Sequence, residues 1–514
     1  HGLLRRVRRE VDKNWELSAI MRWVYIGYEE SKRYSVLFEC VKGYEFPVVV
    51  GATGASYKTY AVALGIDPEQ PRAKVMGEIR RKFIHALKNP LPTVRVDSGP
   101  CKERIDRGSA VNMHKFPIPV WTPVKDCGWE EGRGFLTSTY CMSRDPETGI
   151  RNVGTYRMMI RPEPGVTGIA ATFGAHIMQH VRKNEERGRA TEIATVIGGD
   201  PVIGMVSTTQ IPYGVDELAV AGALRGAPIE VVHCETVDID VPADAEMVIE
   251  GRLPPEKERP YEPEAPFGEY TGYQGSAKLS PVNEISCISY RKDCIYQAFI
   301  SQMPPSESSK VRHIGFESLV LKHLQDLGFE EVVDINMPEG AQVGVVIVSI
   351  RKQDAGQPAR IAQAIFSLLQ PRWGKFIIVT DDDVDIYDLD NVFWAITFRT
   401  SLSPGRRNIH FLEGMIAQIL DYSAANAIED LKSRWDWPSD GVLIDATRPY
   451  APYPVVSLPP ASYLTRALES WKEYGLPELD RKEIPQCLVV EEDYLRKGLA
   501  ALPRFMPLTV AKTK

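Results

Sequence analysis

No apolar run in this chain comes near the roughly 18 residues that a bilayer-spanning helix needs; stretches such as Val343 to Ile350 and Phe46 to Val50 stop far short, which argues against a membrane span. Long basic runs are missing too. Lys plus Arg total 61 against 68 for Asp plus Glu, a net charge of −7, a balance that argues against nucleic-acid binding. No CxxC pair occurs among the eight cysteines, which are scattered at 40, 101, 127, 141, 234, 287, 294 and 487. Reduced thiols in a cytoplasmic protein, mostly filling core, are the expectation. The opening HGLLRRVRRE has no apolar core of a secretory signal, and its leading His in place of Met points to a trimmed chain. Internal repeats and low-complexity tracts are likewise lacking.

What is present is length. With 514 residues the chain exceeds the size at which one hydrophobic core keeps growing, so two or three domains are expected. Residues 1–100 mix helix and strand: Glu10 to Arg22 and Gly54 to Leu64 have helical patterning, as does Glu78 to Leu87, while Tyr34 to Phe38 and Pro47 to Val50 are β-rich. Residues 101–310 change to short β-rich runs separated by Pro and Gly: Leu136 to Met142, Tyr156 to Ile160, Thr195 to Ile197, Ile229 to Val232, Ala245 to Ile249 and Glu284 to Tyr290. That texture predicts a split β-barrel with one or two inserted helices. Gln302 to Ser309 reads as a polar linker, after which helices and strands alternate through residues 311–450 as a second α/β domain. A tail, 451–514, begins Pro-rich and continues in amphipathic pieces such as Tyr463 to Glu473, suited to packing or subunit contact. The fold class is α/β (α+β).

Five motifs bear on chemistry. Gly51-Ala-Thr-Gly-Ala-Ser56 sits between a β-rich run and a helix, where backbone N–H groups can cradle a phosphate, but it lacks both a GKS or GKT ending and GxGxxG spacing. A plain strand-to-helix turn is favoured. His176 and His180 share one helix face at i and i+4; a zincin needs Glu at 177, and Ile177 stands there, so that class is excluded and a single functional His is favoured. Glu264 and Glu269 bracket a Pro-Phe-Gly turn, and crowded carboxylates in a partly dry pocket can hold or deliver a proton near neutrality. Asn152 and Arg157 offer an oxygen to a divalent cation and a planar fork to a carboxylate. The Asp381-Asp-Asp-Val-Asp cluster resembles a magnesium site, yet it follows an apolar run as a strand-end loop does and reads as solvated acids.

Together these fragments resemble the UbiD family of prenylated-FMN-dependent decarboxylases. The resemblance runs through VLFECVKGYEFPVVVGATG, FPIPVWTP and DPETGIRNVGTYRM. It is densest from IGGDP through IPYGVDELAVAGALRGAPIEVVHCETVDIDVPADAEMVIEG to PFGEYTGYQG. It implies an N-terminal α/β unit, a central split-barrel flavin-binding domain and a C-terminal α/β oligomerisation domain. It implies Asn152, His176 and Glu217 as ligands to manganese or magnesium, and Val153, Ser207, Thr209 and Glu217 around potassium. Cofactor contacts are implied for Asn152, Val153, Tyr156, Arg157, Ala175, His176, Ser207, Thr208 and Glu217. Arg157, Glu264 and Glu269 match the catalytic network, with Glu269 as proton donor and acceptor; His180 has no matched role. Ala175 departs from the Gln of some members, and SLSPGRRN contains no phosphate-binding Lys and supplies Arg406 and Arg407 instead.

The implied reaction is reversible, non-oxidative decarboxylation of an α,β-unsaturated or (hetero)aromatic acid through a covalent adduct with prenylated FMN. The implied partners are that small acid, a flavin prenyltransferase that supplies the cofactor, and further copies of the chain in a homodimer or homohexamer. One alternative is a carboxylase or a subunit of a carboxylating complex on the same scaffold. Another is a non-catalytic flavin- or nucleotide-binding protein built around the Gly51 loop.

Overall fold

In the computed structural model the described residues are 1–514 apart from 122–133, 172–173, 270, 276, 370–373, 403–407, 417–438, 450–457 and 480–514. Arg406, Arg407, Cys127, Cys487 and most of the expected tail lie outside them. The chain forms two compact units: His1–Leu319 with Glu339–Gln342, and Val320–Pro338 with Val343–Lys514.

The centre of the first unit is a nine-stranded antiparallel sheet. Its strands, in chain order, are β1 (Arg104–Arg107), β2 (Phe135–Leu136), β3 (Tyr140–Arg144), β4 (Arg151–Thr155), β5 (Met158–Ile160), β6 (Val166–Ile169), β7 (Thr191–Ile197), β8 (Met247–Leu253) and β9 (Val282–Tyr290). The spatial order is β2-β5-β6-β9-β8-β7-β3-β4, with β1 also pairing with β9. β7, with the β-branched TEIATVI, is buried at all but one position, as a strand covered on both faces must be. A bulge in the β8 and β9 ladder at Glu250/Gly251 adds to the bend that curls the sheet into a half-barrel.

The strand expected over Tyr156 to Ile160 starts two residues late. β4 ends at Thr155, β5 starts at Met158, and the corner between them carries Tyr156 and Arg157. Gly154 is required there, because a Cβ would lie 2.5 Å from the Tyr156 hydroxyl.

A second, four-stranded sheet joins Leu4–Val7, Ser35–Phe38, Val48–Val50 and Tyr296–Ala298, so a strand from beyond β9 completes the N-terminal sheet. The first helix, Glu16–Gly27, opens later than expected. Val11 bridges to Val41 and Asn14 to Val120, which withdraws residues 11–15 from helix. Gln302 to Ser309 is not an exposed linker. Ser306 to Ser309 are buried, the Ser306 and Ser309 side chains cap the chain there, and a helix, Glu307–Asp326, begins inside the stretch.

The second unit holds a five-stranded sheet in the order Val332–Asn336, Val345–Ile350, Phe376–Asp381, Ser439–Ala446, Ile409–Ile416. Its three inner strands are parallel and both edge strands antiparallel. Helices Gln357–Leu369 and Leu389–Arg399 alternate with the strands, the α/β pattern expected. The Asp381 cluster is solvated only in part: the Asp382 side chain is 36% exposed, while Asp381 is buried and Asp383 is held by arginine. Arg399, fully buried, donates to Asp383 through Nη1 and Nη2 at 2.8 Å each, and the Arg448 backbone N–H donates to Asp381 at 2.6 Å. The guanidiniums of Arg399 and Arg448 thus neutralise Asp381 and Asp383. Among the described residues no helix is long and apolar enough to cross a membrane, and the six described cysteines are free.

Candidate active site

The corner after β4 aims Arg157 at both carboxylates of the EAPFGE segment. Its Nε and Nη2 donate to Glu264 Oε1 and Oε2 at 2.9 and 3.1 Å, and its Nη1 donates to Glu269 Oε1 at 2.6 Å. Burial opposes the guanidinium charge, but Glu269 and Glu264 hold its pKa above the ordinary value. The Phe267 ring lies under the guanidinium, 4.8 Å from its carbon, and keeps that side dry.

The two acids differ. Glu264 is 0% exposed and gripped at both oxygens, whereas the Glu269 side chain is 18% exposed and held at one. Glu264 stands on a short strand, Glu262–Glu264, paired with Lys278–Ser280, and Glu269 opens the tight hairpin that follows. In that hairpin Glu269 N donates to Tyr273 O and Gly275 N to Phe267 O, both at 2.9 Å. Gly272, at φ +91°, turns it, and a Cβ at Gly275 would press on the Glu269 carboxylate. The strand pairing also sets Lys278 opposite Glu264, 3.8 Å from Oε2. Sequence reading missed this cation, since only the pairing of two three-residue strands reveals it.

Asn152, His176 and Glu217 line one narrow pocket, together with Asp145, His180 and Tyr213. Asn152 projects from β4, with Oδ1 3.1 Å from His176 Nδ1 and a buried Nδ2 that makes no hydrogen bond of good geometry. His176 is the first residue of helix His176–Glu185, and Ala175 precedes it in extended conformation. Burial lowers the His176 pKa, which keeps the imidazole neutral and able to ligate. Glu217 opens helix Glu217–Arg225, capped by Asp216, and its Oε2 accepts from Val153 N at 2.9 Å. Burial pushes the Glu217 carboxyl up to about 8.

A buried carboxylate whose cationic neighbour Arg151 is paired with Asp216, a neutral imidazole and an orphaned amide form a mixed hard-donor set that fits a divalent cation. No group of three or more His, Cys, Asp or Glu with that capacity exists among the described residues, so the Asn oxygen is indispensable to such a site. His180 is buried, with Nδ1 2.9 Å from Ser143 Oγ; burial lowers its pKa to about 4, consistent with a packing role.

Ser207, Thr208 and Thr209 follow one another at the end of helix Pro201–Ser207. Ser207 Oγ is 2.8 Å from Thr155 Oγ1 at the end of β4, while Thr208 and Thr209 donate back to Gly204 O and Met205 O at 3.0 and 2.7 Å. Only lone pairs and carbonyls are left on these residues for a cation. Tyr156 is half-buried, and its carbonyl accepts from Thr139 Oγ1 at 2.6 Å.

The Gly51 loop has an occupant of its own. Glu307 accepts from Gly51 N, Thr53 N and Thr53 Oγ1 at 3.0, 2.9 and 2.7 Å, so an internal carboxylate fills the cradle a phosphate would need. That occupancy argues against phosphate binding at this loop.

Paired carboxylates on a half-buried arginine and a donor-lined pocket, set on a curled antiparallel sheet, have the acid–base and ligand chemistry of an enzyme active site. Family models for 3-octaprenyl-4-hydroxybenzoate carboxy-lyase match along the chain: the N-terminal domain at residues 1–79, the Rift-related domain at 93–304 and the C-terminal domain at 314–446. The chain belongs to this UbiD family and is a carboxy-lyase.

An uncharacterized protein of Archaeoglobus fulgidus is 34% identical over 439 residues, 82% of this chain and 86% of its own length. The UbiD-class enzyme HmfF of Pelotomaculum thermopropionicum, solved with FMN, superposes with TM-score 0.77 at 30% identity, covering 90% of this chain and 96% of that one. An evolved dimeric form of HmfF carries prFMN. The vanillic acid decarboxylase of Sedimentibacter hydroxybenzoicus, in its open form, gives TM-score 0.74 at 27% identity over 92% of this chain and 95% of that one.

Proposed function

We propose that the chain catalyses reversible, non-oxidative decarboxylation of an α,β-unsaturated or (hetero)aromatic carboxylic acid. It uses prenylated FMN, with a manganese or magnesium ion at Asn152, His176 and Glu217 and potassium near Val153, Ser207, Thr209 and Glu217. The observation that carries the reading is the asymmetric grip of Arg157, two hydrogen bonds on Glu264 and one on Glu269. Prenylated FMN, when bound, supplies the electron sink that no side chain provides for a carbanion at an sp2 carbon.

The residues do the rest. Three of the guanidinium's N–H groups are committed to the two Glu residues, and the remaining N–H on Nη1 and on Nη2 is available to orient the substrate carboxylate. Glu264, buried and doubly held, fixes Arg157. Glu269, on the more accessible side, gives its proton to the carbon that has lost carbon dioxide, and takes it back in the reverse direction. The Phe267 ring excludes water from one face of the pair. Hydrogen bonds tie His176, Glu217 and Ser207 to β4 at Asn152, Val153 and Thr155, and these residues, with Tyr156, Ala175 and Thr208, would hold the flavin.

A cytoplasmic homodimer or homohexamer, loaded by a flavin prenyltransferase, is part of the same proposal. The test is chain produced with and without that prenyltransferase, assayed for carbon dioxide release from cinnamic, hydroxybenzoic, furan, pyrrole and polycyclic carboxylates. Activity is expected only in the first preparation, and undiminished activity with unmodified FMN overturns the reading. Product formation only from bicarbonate plus the decarboxylated compound would favour the carboxylase alternative.

A further inference from the structure

Three separate segments carry the donors of the narrow pocket: β4 with Asn152, helix His176–Glu185, and helix Glu217–Arg225. The last is reached through residues 209–216, a loop that must be fixed before the donors can converge. Two staples fix it. At its end, Arg151 on β4 grips Asp216 at 2.6 and 3.2 Å. In its middle stands Tyr213. Pro212, Tyr213 and Gly214 form a turn in which Val215 N donates to Pro212 O at 3.2 Å, with Gly214 at φ +87°, where a glycine is favoured.

The turn sets the Tyr213 ring edge-to-face against His176, centroids 5.0 Å apart, and near His180 at 6.0 Å. Its hydroxyl donates to the buried Asp145. Lys183, two turns along the His176 helix, donates to both Asp145 and that hydroxyl, at 2.8 and 3.2 Å. Tyr213 is nonetheless 40% exposed, so burial of its ring does not explain so many anchors.

We propose that Tyr213 is a positioning residue of the cation site. Its ring fixes the plane of the His176 imidazole and forms the outer wall of the pocket, and its tether to Asp145 and Lys183 holds the loop leading to Glu217 against the His176 helix. This inference rests on the reading of Asn152, His176 and Glu217 as cation ligands. Residues that orient a metal ligand from outside cost about 10- to 100-fold in affinity when removed, and a ring contact of this geometry constrains orientation as well as packing.

The experiment titrates Mn2+ into EDTA-treated chain at saturating FMN, reading free Mn2+ by its paramagnetic resonance signal, for wild type, Tyr213→Phe, Tyr213→Ala and His176→Ala. Tyr213→Ala is expected to weaken Mn2+ binding about 10- to 100-fold, and Tyr213→Phe, which keeps the ring and loses only the tether, to weaken it less. A merely structural Tyr213 would lower the melting temperature and leave the affinity of the folded fraction unchanged, which overturns the proposal. If wild type takes up no Mn2+, or His176→Ala binds it as tightly, the cation reading falls and this inference with it. If His176→Ala loses Mn2+ while both Tyr213 variants bind like wild type, this inference alone is wrong.

Discussion

Arg157 holds Glu264 in a two-pronged grip, Nε to Oε1 at 2.9 Å and Nη2 to Oε2 at 3.1 Å, with the carboxylate wholly removed from solvent. A planar fork can do this and a point charge cannot. Arg157→Lys therefore keeps the charge but leaves Glu264 a buried anion with an incomplete partner. A loss of about 3 kcal/mol in urea-unfolding stability is expected, the lower end for breaking a buried pair. Decarboxylation should fall by a hundredfold or more, since the substrate carboxylate loses its planar donor. A Lys variant with wild-type stability and turnover would show that the fork geometry is immaterial.

Family and enzyme class were legible in the sequence because the resemblance lies in long strings, and the closeness of Arg157, Glu264 and Glu269 in space agrees with it. Features made by distant partners were not legible. The Gly51 loop looked open to a phosphate because its occupant, Glu307, stands 256 residues further on. The Asp381 cluster looked solvated because Arg399 and Arg448 reach it only through the folding of the second unit. Lys278 became visible beside Glu264 only through strand register, and the late start of the first helix only through bridges to Val41 and Val120.

Glu307 makes a pH prediction. Burial pushes its carboxyl up to about 7 from the usual 4.5, against the opposing pull of hydrogen bonds from Thr53 and Gly51. With the folded pKa above the unfolded one, the folded state binds the proton more tightly. The contribution to stability is full below the unfolded pKa and is lost as pH rises through about 7. Between these limits the slope reaches at most about −1.4 kcal/mol per pH unit. Urea midpoints across this range should therefore fall more steeply for wild type than for Glu307→Gln, which cannot titrate. Parallel profiles would show that Glu307 does not change charge there.

In the second unit Arg399 is the group whose removal should cost most. It is buried and serves both Asp383 oxygens and Asp381, and with Arg448 it holds the Asp383 carboxyl below its ordinary range despite burial. Arg399→Met leaves Asp383 dependent on the half-exposed Arg448. A destabilisation of about 3 to 5 kcal/mol is expected by denaturant unfolding. Added Mg2+ should not restore it, because Arg448 still occupies the cluster. Full rescue by Mg2+ would revive the magnesium reading of these aspartates.

Glu269 is the carboxylate placed to exchange its proton. It keeps one hydrogen bond to Arg157 where Glu264 keeps two, its side chain is 18% exposed where Glu264 has none, and it rides a glycine-turned hairpin rather than a paired strand. A proton on Glu264 would remove an acceptor from the buried fork, whereas a proton on Glu269 can sit on Oε2 without breaking the bond that Oε1 accepts. Glu269→Gln preserves shape and can still accept from Arg157 through its amide oxygen, but it carries no exchangeable acid. Flavin and metal content should stay at wild-type levels, while turnover falls on the order of a hundredfold or more, the range for losing general acid catalysis. In heavy water the variant should fail to place deuterium at the carbon that bore the carboxylate. Should Glu269→Gln exchange that hydrogen at the wild-type rate while Glu264→Gln does not, the two acids have opposite roles; normal exchange in both removes the pair from the proton path.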